Sequence, residues 1–255
     1  MVQRSLLKKL PEKASNYLKT KARLGNVHVY GGAGVGKSRG VGRWVKELFP
    51  GYAIVTCAPL QEQVNNLNDA LGHKGSSFTK EELLRRIFKR KPEEDVWNDS
   101  DIVPIFKEDG SYSSAKLRID IEISSDSFRD PNSYDGTILF IDEVGQFNRA
   151  ELEAIDRWAK KNDILVFGLG DYTQTSAEIT CEYETNEVDD AGAPKLDNNG
   201  NPIKKTIKQT HSSGVEDCYV FYGPELTVPF RPGNAAQLDN YNALKAAVNS
   251  AYDHY

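Results

Sequence analysis

Residues 31–38 read Gly31-Gly32-Ala33-Gly34-Val35-Gly36-Lys37-Ser38 and fit the pattern G-x-x-x-x-G-K-[ST]. Glycine at this density permits the dihedrals by which successive backbone N–H groups turn inward onto a polyphosphate. A helix opening behind Ser38 would add the positive end of its dipole. In such a loop Lys37 reaches the β- and γ-phosphates, and the Ser38 hydroxyl offers Mg²⁺ an oxygen ligand. The bland alternative is a chance Gly-rich turn, but an apolar strand ahead of the run and a helix behind it argue for the phosphate loop. A second constellation, Ile138-Leu139-Phe140-Ile141-Asp142-Glu143, ends an apolar run in two carboxylates. At the carboxyl end of a parallel strand the pair would face the phosphate loop. Asp142 is then expected to hold Mg²⁺ through water, and Glu143 to orient and deprotonate an attacking water. Without the loop upstream, the same pair reads as an ordinary acidic turn after a strand.

These groups need a scaffold, and the hydrophobic pattern implies one. Residues 27–30, 52–57, 137–141 and 164–168 are short apolar, β-branched runs that read as strands, and 225–228 is a last core-strand candidate. Between them, apolar residues at helical spacing predict helices over 4–22, 38–48, 61–71 and 150–161, and a closing helix from Ala235. The segment 79–91 is a basic helix candidate, and 117–123 alternates like an exposed strand. Strands alternating with helices imply a parallel sheet covered on both faces. Residues 74–136 and 177–216 interrupt the alternation and are expected to be insertions in a single 1–255 domain. The second insertion turns at Asp197-Asn198-Asn199-Gly200-Asn201-Pro202 between polar arms, so it reads as a projecting hairpin. No internal repeat stands out.

The totals set outer bounds. Net charge is −5, so any nucleic-acid contact must come from a local patch and not from a global field. The three cysteines, Cys57, Cys181 and Cys218, have no CxxC spacing, which speaks against a disulfide framework or a four-cysteine zinc site. His28, His73, His211 and His254 show no metal-ligand spacing. The first residues carry charges and no apolar core of a signal peptide, and no run is long enough to cross a bilayer. A cytoplasmic setting with no membrane partner is expected, with phage or viral origin open.

Beyond the two constellations, Gly170-Asp171-x-x-Gln174 follows the strand 164–168, and Leu226-Thr227-Val228-Pro229-Phe230-Arg231 comes later. With the phosphate loop and Asp142-Glu143, this ordered set resembles the first RecA-like (1A) half of a superfamily 1 helicase, over roughly 25–175 and 224–245. The resemblance implies a RecA-like P-loop NTPase fold and ATP as the nucleotide, with Mg²⁺. It implies that Gln174 contacts the γ-phosphate, that Phe230 packs on the adenine, that Arg231 reaches the γ-phosphate, and that Arg39 lies against the base. It places Pro59 and Leu60, after the second strand, on a single nucleic-acid strand, with Thr79 as a second contact and segment 74–136 as a 1B-like subdomain. The family's base-reading glutamine has no counterpart in residues 11–30. Little more than one helix follows Arg231, so a second RecA-like domain, in cis or on a partner protein, is expected to complete the motor.

The activity so implied is ATP hydrolysis driving a helicase on single-stranded nucleic acid, DNA before RNA. Lys80, Arg85, Arg86, Lys89, Arg90 and Lys91 could bind its phosphates, or form a solvated face balanced by Glu81, Glu82, Glu93, Glu94 and Asp95. Tyr172 could stack on a base or pack its own loop. The hairpin around Asn199 could be a strand-separating pin or a tolerated surface insertion. Three other readings stand beside this one. Ile141-Asp142-Glu143-x-Gly145-Gln146-Phe147 loosely resembles nucleoside kinases of the thymidine kinase type, which carry a cysteine-rich zinc lobe. The others are a phage-type packaging ATPase and a binding module that only switches shape.

Overall fold

The computed structural model describes residues 26–32, 37–128, 136–171, 177–213, 221–222, 243 and 246. Its centre is a parallel sheet built from β1 (Asn26–Tyr30), β2 (Ala53–Ala58), β3 (Ser77–Thr79), β6 (Thr137–Ile141), β7 (Ile164–Gly170) and β10 (Phe221–Tyr222). The strand order is β10-β1-β7-β6-β2-β3, so the chain crosses the sheet repeatedly, as in a RecA-like P-loop α/β fold. Every residue of β6 and β7 is buried, which explains why both read as unbroken apolar runs.

Alternation along these strands feeds two separate cores. Ile138, Phe140, Leu165 and Phe167 pack against Val45 of α1 (Gly42–Leu48) and Leu67 of α2 (Gln61–Leu71). Leu139, Ile141, Ile164 and Val166 pack on the other face against Leu83 of α3 (Lys80–Ile87) and Trp158 of α4 (Arg149–Lys161). The helices therefore cover both faces. Each begins or stops where its sequence says it should. Thr79 and Asn148 cap α3 and α4 in reciprocal boxes with Glu82 and Glu151. Gly72 closes α2 in the left-handed conformation (φ 59°).

Three expectations need correction. The helix expected over 38–48 starts as a π-helical turn, Lys37–Val41, before becoming α-helical. The basic helix expected over 79–91 stops at Ile87, and Lys89 turns left-handed (φ 55°). The alternating segment 117–123 is not a strand beyond Leu117. The strand lies earlier, as β5 (Tyr112–Leu117) paired antiparallel with β4 (Ile102–Phe106). Past Leu117 a guanidinium takes the place of a neighbouring strand: Arg157 of α4 donates to the carbonyls of Leu117, Arg118 and Ile119. Two side chains of the alternating pattern diverge accordingly, with Ile123 buried and Ile119 exposed.

β8 (Glu178–Asn186) and β9 (Lys204–Ser212) form a long hairpin, paired antiparallel along nine residues each. It leans on the β4–β5 hairpin through stacked Tyr112 and Tyr183 rings (centroids 5.2 Å apart, 4° between planes) and a 3.1 Å hydrogen bond between Tyr112 Oη and His211 Nδ1. Its tip holds an internal repeat that the sequence reading missed. Residues 188–194 and 196–202 share an apolar-Asp-x-x-Gly-x-Pro pattern with a period of eight. Each copy is the same turn: Asp189 Oδ1 accepts from Ala191 and Ala193 N–H, and Asp197 Oδ1 from Asn199 and Asn201 N–H. Glu187, Lys195 and Ile203 close the tip in a ring of backbone bonds of 2.7–2.8 Å. The tip also carries Asp189, Asp190 and Asp197, and such acidity suits a surface turn better than a wedge against phosphates. Among the described residues, no helix is long and apolar enough to cross a membrane. The expected helix at 4–22 and the strand at 225–228 lie outside the described residues; of the closing helix expected from Ala235 only Ala243 and Ala246 are described, and both are helical.

Candidate nucleotide site at the carboxyl edge of the sheet

Because the central strands run parallel, their carboxyl ends share one edge, and the candidate residues line up along it in strand order. Gly31 follows β1, Asp171 follows β7, Asp142 and Glu143 follow β6, Pro59 and Leu60 follow β2, and Lys80 follows β3. Gly31 N–H donates to Gly170 O at 3.2 Å, which ties the start of the phosphate loop to the end of β7. Asp142 N–H donates to Cys57 O at 2.9 Å and so prolongs β6 beside β2.

The Lys37 ammonium donates to the carbonyls of Gly31 and Gly32, the latter at 3.0 Å, and thus sits over the first turn of the loop. Ser38 Oγ donates to Asp142 Oδ2 at 3.4 Å across one intervening strand, β7. The structure therefore brings together the two residues expected to hold the metal. Burial, and then the neighbouring Glu143 charge, push the Asp142 carboxyl up to about 6, against the opposite pull of Glu143 N–H, Lys37 and Ser38. A half-buried carboxylate held this high is suited to a site where a cation joins it. Arg39 is exposed on the π-helical turn.

Glu143 occupies the left-handed region (φ 51°, ψ 44°), a conformation that costs a non-glycine residue about 1 kcal/mol or more. Its N–H is held by Asp142 Oδ1 at 3.1 Å, and it caps the single 3₁₀ turn Val144–Gln146. Strain of this kind aims the side chain away from the direction a continuing strand would give it. The turn fits closely because β7 is stripped of side chains beneath it. A Cβ on Gly168 would stand 3.1 Å from a Val144 methyl, and one on Gly170 only 2.9 Å from both Val144 and His28. Sequence reading assigned Gly170 to a motif; its geometric duty is to let the Asp142–Glu143 turn and the β1 histidine approach.

Leu60 is 62% exposed at the head of α2, and Pro59 lies beside it on the edge. Thr79 is half-buried, and its hydroxyl is engaged as the cap of α3. The basic run of α3 is largely consumed by the protein itself. Arg85 pairs with Glu81 at 2.7 Å, Arg90 with buried Asp101 at 3.3 Å, and Lys89 with Glu122. Arg86 lies 4.6 Å above the Phe78 ring. Lys80 turns inward onto Glu151 and Gln146. Ala33, Gly34, Val35, Gly36, Tyr172, Gln174, Phe230 and Arg231 lie outside the described residues.

A family model described as an AAA domain matches residues 13–179, more than half of the chain. Among solved structures, similar ones include a Pif1 helicase structure described for DNA unwinding at forked double-stranded DNA (16% identity, 89% of this chain and 46% of that one, TM-score 0.41). Bacteroides Pif1 bound to single-stranded DNA has 16% identity over 95% of this chain and 47% of that one, with a TM-score of 0.39. Arterivirus nonstructural protein 10, a helicase in complex with DNA, has 16% identity over 65% of this chain and 32% of that one, with a TM-score of 0.30. The chain thus spans less than half the length of each. A search of curated proteins found no match. With a phosphate loop between β1 and a helix, and an acidic pair at the end of β6, the chain belongs to the AAA-domain family.

Proposed function

We propose that this chain is the ATP-hydrolysing motor domain of a superfamily 1 helicase that acts on single-stranded nucleic acid, DNA in preference to RNA. The observation that carries the reading is the 3.4 Å contact between Ser38 and Asp142, with strained Glu143 beside it, on the same sheet edge as Pro59 and Leu60. A hydroxyl and one carboxylate are the oxygen donors that Mg²⁺ takes from a protein when phosphates and waters complete its shell. Bound there, the ion would neutralise phosphate charge as it develops. Lys37 exchanges the Gly31 and Gly32 carbonyls for the β- and γ-phosphates. Glu143 accepts a proton from water as that water attacks the γ-phosphorus in line, and ADP leaves from the opposite side. Residues 33–36 supply the N–H cradle, and Arg39 lies on the base. Gln174 senses the γ-phosphate, Phe230 covers the adenine, and Arg231 adds positive charge.

Pro59, Leu60, Thr79 and Tyr172 form the strand contact, Leu60 through its exposed side chain. In this reading residues 1–255 form one domain with insertions at 74–136 and 177–216. A second RecA-like domain, in cis or from a partner, closes over the nucleotide. The test is fluorescence anisotropy of a labelled single-stranded oligonucleotide, with and without a non-hydrolysable ATP analogue and Mg²⁺. Strand affinity is expected to differ between the two conditions on the order of ten-fold, the size of a typical coupling between sites. Absence of strand binding at low salt, or binding indifferent to nucleotide, would overturn the reading.

A further inference from the structure

Lys80 is the first residue of α3, the electrostatically unfavourable end of a helix for a cation. It is only 27% exposed, and its ammonium turns inward onto the α4 side of the sheet edge. Its ammonium forms an ion pair with Glu151 at 3.1 Å, donates to Gln146 O at 3.1 Å, and lies 5.4 Å from the centre of the Phe147 ring. Glu151 is buried and also accepts from Asn148 N–H at 2.8 Å, so one carboxylate serves both the cap of α4 and Lys80. Withdrawing such a pair from water costs much of what its attraction returns, so stability alone is a weak reason for it.

Its position along the chain gives a better one. Gln146 ends the turn that Glu143 begins, and Gln146 N–H donates to Glu143 O at 2.9 Å. On the other side, Lys80 directly follows Thr79, which pairs with Ala58 just before Pro59 and Leu60. One ammonium therefore spans from the edge where a strand would lie to the turn that aims the hydrolytic carboxylate. A hydrogen bond is sensitive to shifts well below 1 Å, and two such bonds from one group report a displacement of α3 directly to that turn.

We propose that Lys80 is a positioning residue that transmits strand occupancy at the Pro59–Leu60 and Thr79 edge to Glu143, through its paired contacts with Gln146 and Glu151. The proposal rests on the strand-dependent reading above. A strand drawn against this edge moves the head of α3, Lys80 carries the movement to Gln146, and the Glu143 turn changes its aim. Lys80 touches neither nucleotide nor strand.

The test is steady-state ATP turnover by the full chain, with and without saturating single-stranded DNA, for the wild type, Lys80→Met, Lys80→Arg and Glu151→Gln. In Lys80→Met the ratio of stimulated to basal kcat is expected to fall by roughly five-fold or more, within the range of typical inter-site couplings. KM for ATP and strand affinity by anisotropy should stay near wild type. Lys80→Arg, which keeps charge and donors, should recover some of the ratio. Glu151→Gln keeps an acceptor for Asn148 and should lower the ratio less than Lys80→Met, which preserves the test if Lys80→Met does not fold. Stimulation unchanged in Lys80→Met and Glu151→Gln, with the wild type stimulated, overturns the proposal and leaves the strand-dependent reading standing. A loss confined to strand affinity makes Lys80 a simple contact and also overturns it. A wild type indifferent to strand overturns the reading, and the proposal with it.

Discussion

Glu143→Gln is expected to lower ATP turnover by roughly 10²–10⁴-fold, the usual contribution of a positioned general base. Nucleotide affinity should be retained. Glutamine matches glutamate in size and can keep the left-handed backbone at this position, where Asp142 Oδ1 accepts the residue 143 N–H. It cannot take a proton from water. Lys37 and Ser38, the residues proposed to grip phosphate, stand on the helical turn that opens after the loop, where Lys37 donates to Gly31 and Gly32 and Ser38 to Asp142. The comparison is phosphate release under steady state against equilibrium binding of a fluorescent ATP analogue. Unchanged turnover in the variant would remove Glu143 from its role, and loss of both activities together would make it a structural residue.

His28 gives the second large effect, on stability. It sits in β1 with 2% exposure, and burial pushes its imidazole down to about 4 from an ordinary 6.5. A histidine with a lowered folded-state pKa is bound as the neutral form. The unfolded chain takes up its proton near 6.5 while the folded chain resists until about 4. Stability due to this residue is therefore full above 6.5 and is lost as pH falls from 6.5 to about 4. The total is about 3 kcal/mol at 1.36 kcal/mol per unit. Asp142 acts in the opposite sense, since its raised pKa makes the folded state hold a proton more tightly as pH falls through about 6. Denaturant unfolding of wild type and His28→Gln at several pH values between 7 and 4 separates the two. The variant should show a shallower loss of stability with acid, whatever its absolute stability. Parallel curves would show that His28 titrates normally.

How much of this was legible in the sequence depended on where each residue's partners lie. β6 and β7 were legible because burial on both faces writes an unbroken apolar run, and the structure extends the second only to Gly170. The fold followed, since four such runs alternating with helical spacing permit few arrangements. Ser38 and Asp142 were legible as a pair because phosphate chemistry demands both, and the structure sets them 3.4 Å apart. Segment 117–123 was misread because its backbone is satisfied by Arg157, a partner far along the chain that no local pattern announces. Lys80 was read as one cation in a run for the same reason: Glu151 and Gln146 lie on another element. Gly168 and Gly170 owe their identity to Val144 above them, a contact that exists only after folding. The tandem turns at 188–202 were within reach, since a search at a period of eight would have found them.

In the proposed function the phosphate loop, Asp142 and Glu143 form one hydrolytic site governed by a nucleic-acid strand. Its most direct test is phosphate release by the wild-type chain with ATP and Mg²⁺, alone, with a single-stranded oligonucleotide, and with a duplex of the same sequence. If a second RecA-like domain is required, the measurement is made with that domain present. Turnover is expected to rise on the order of ten-fold with the single strand and less with the duplex. Turnover equal in all three conditions, or no turnover despite tight ATP binding, would contradict the proposed function.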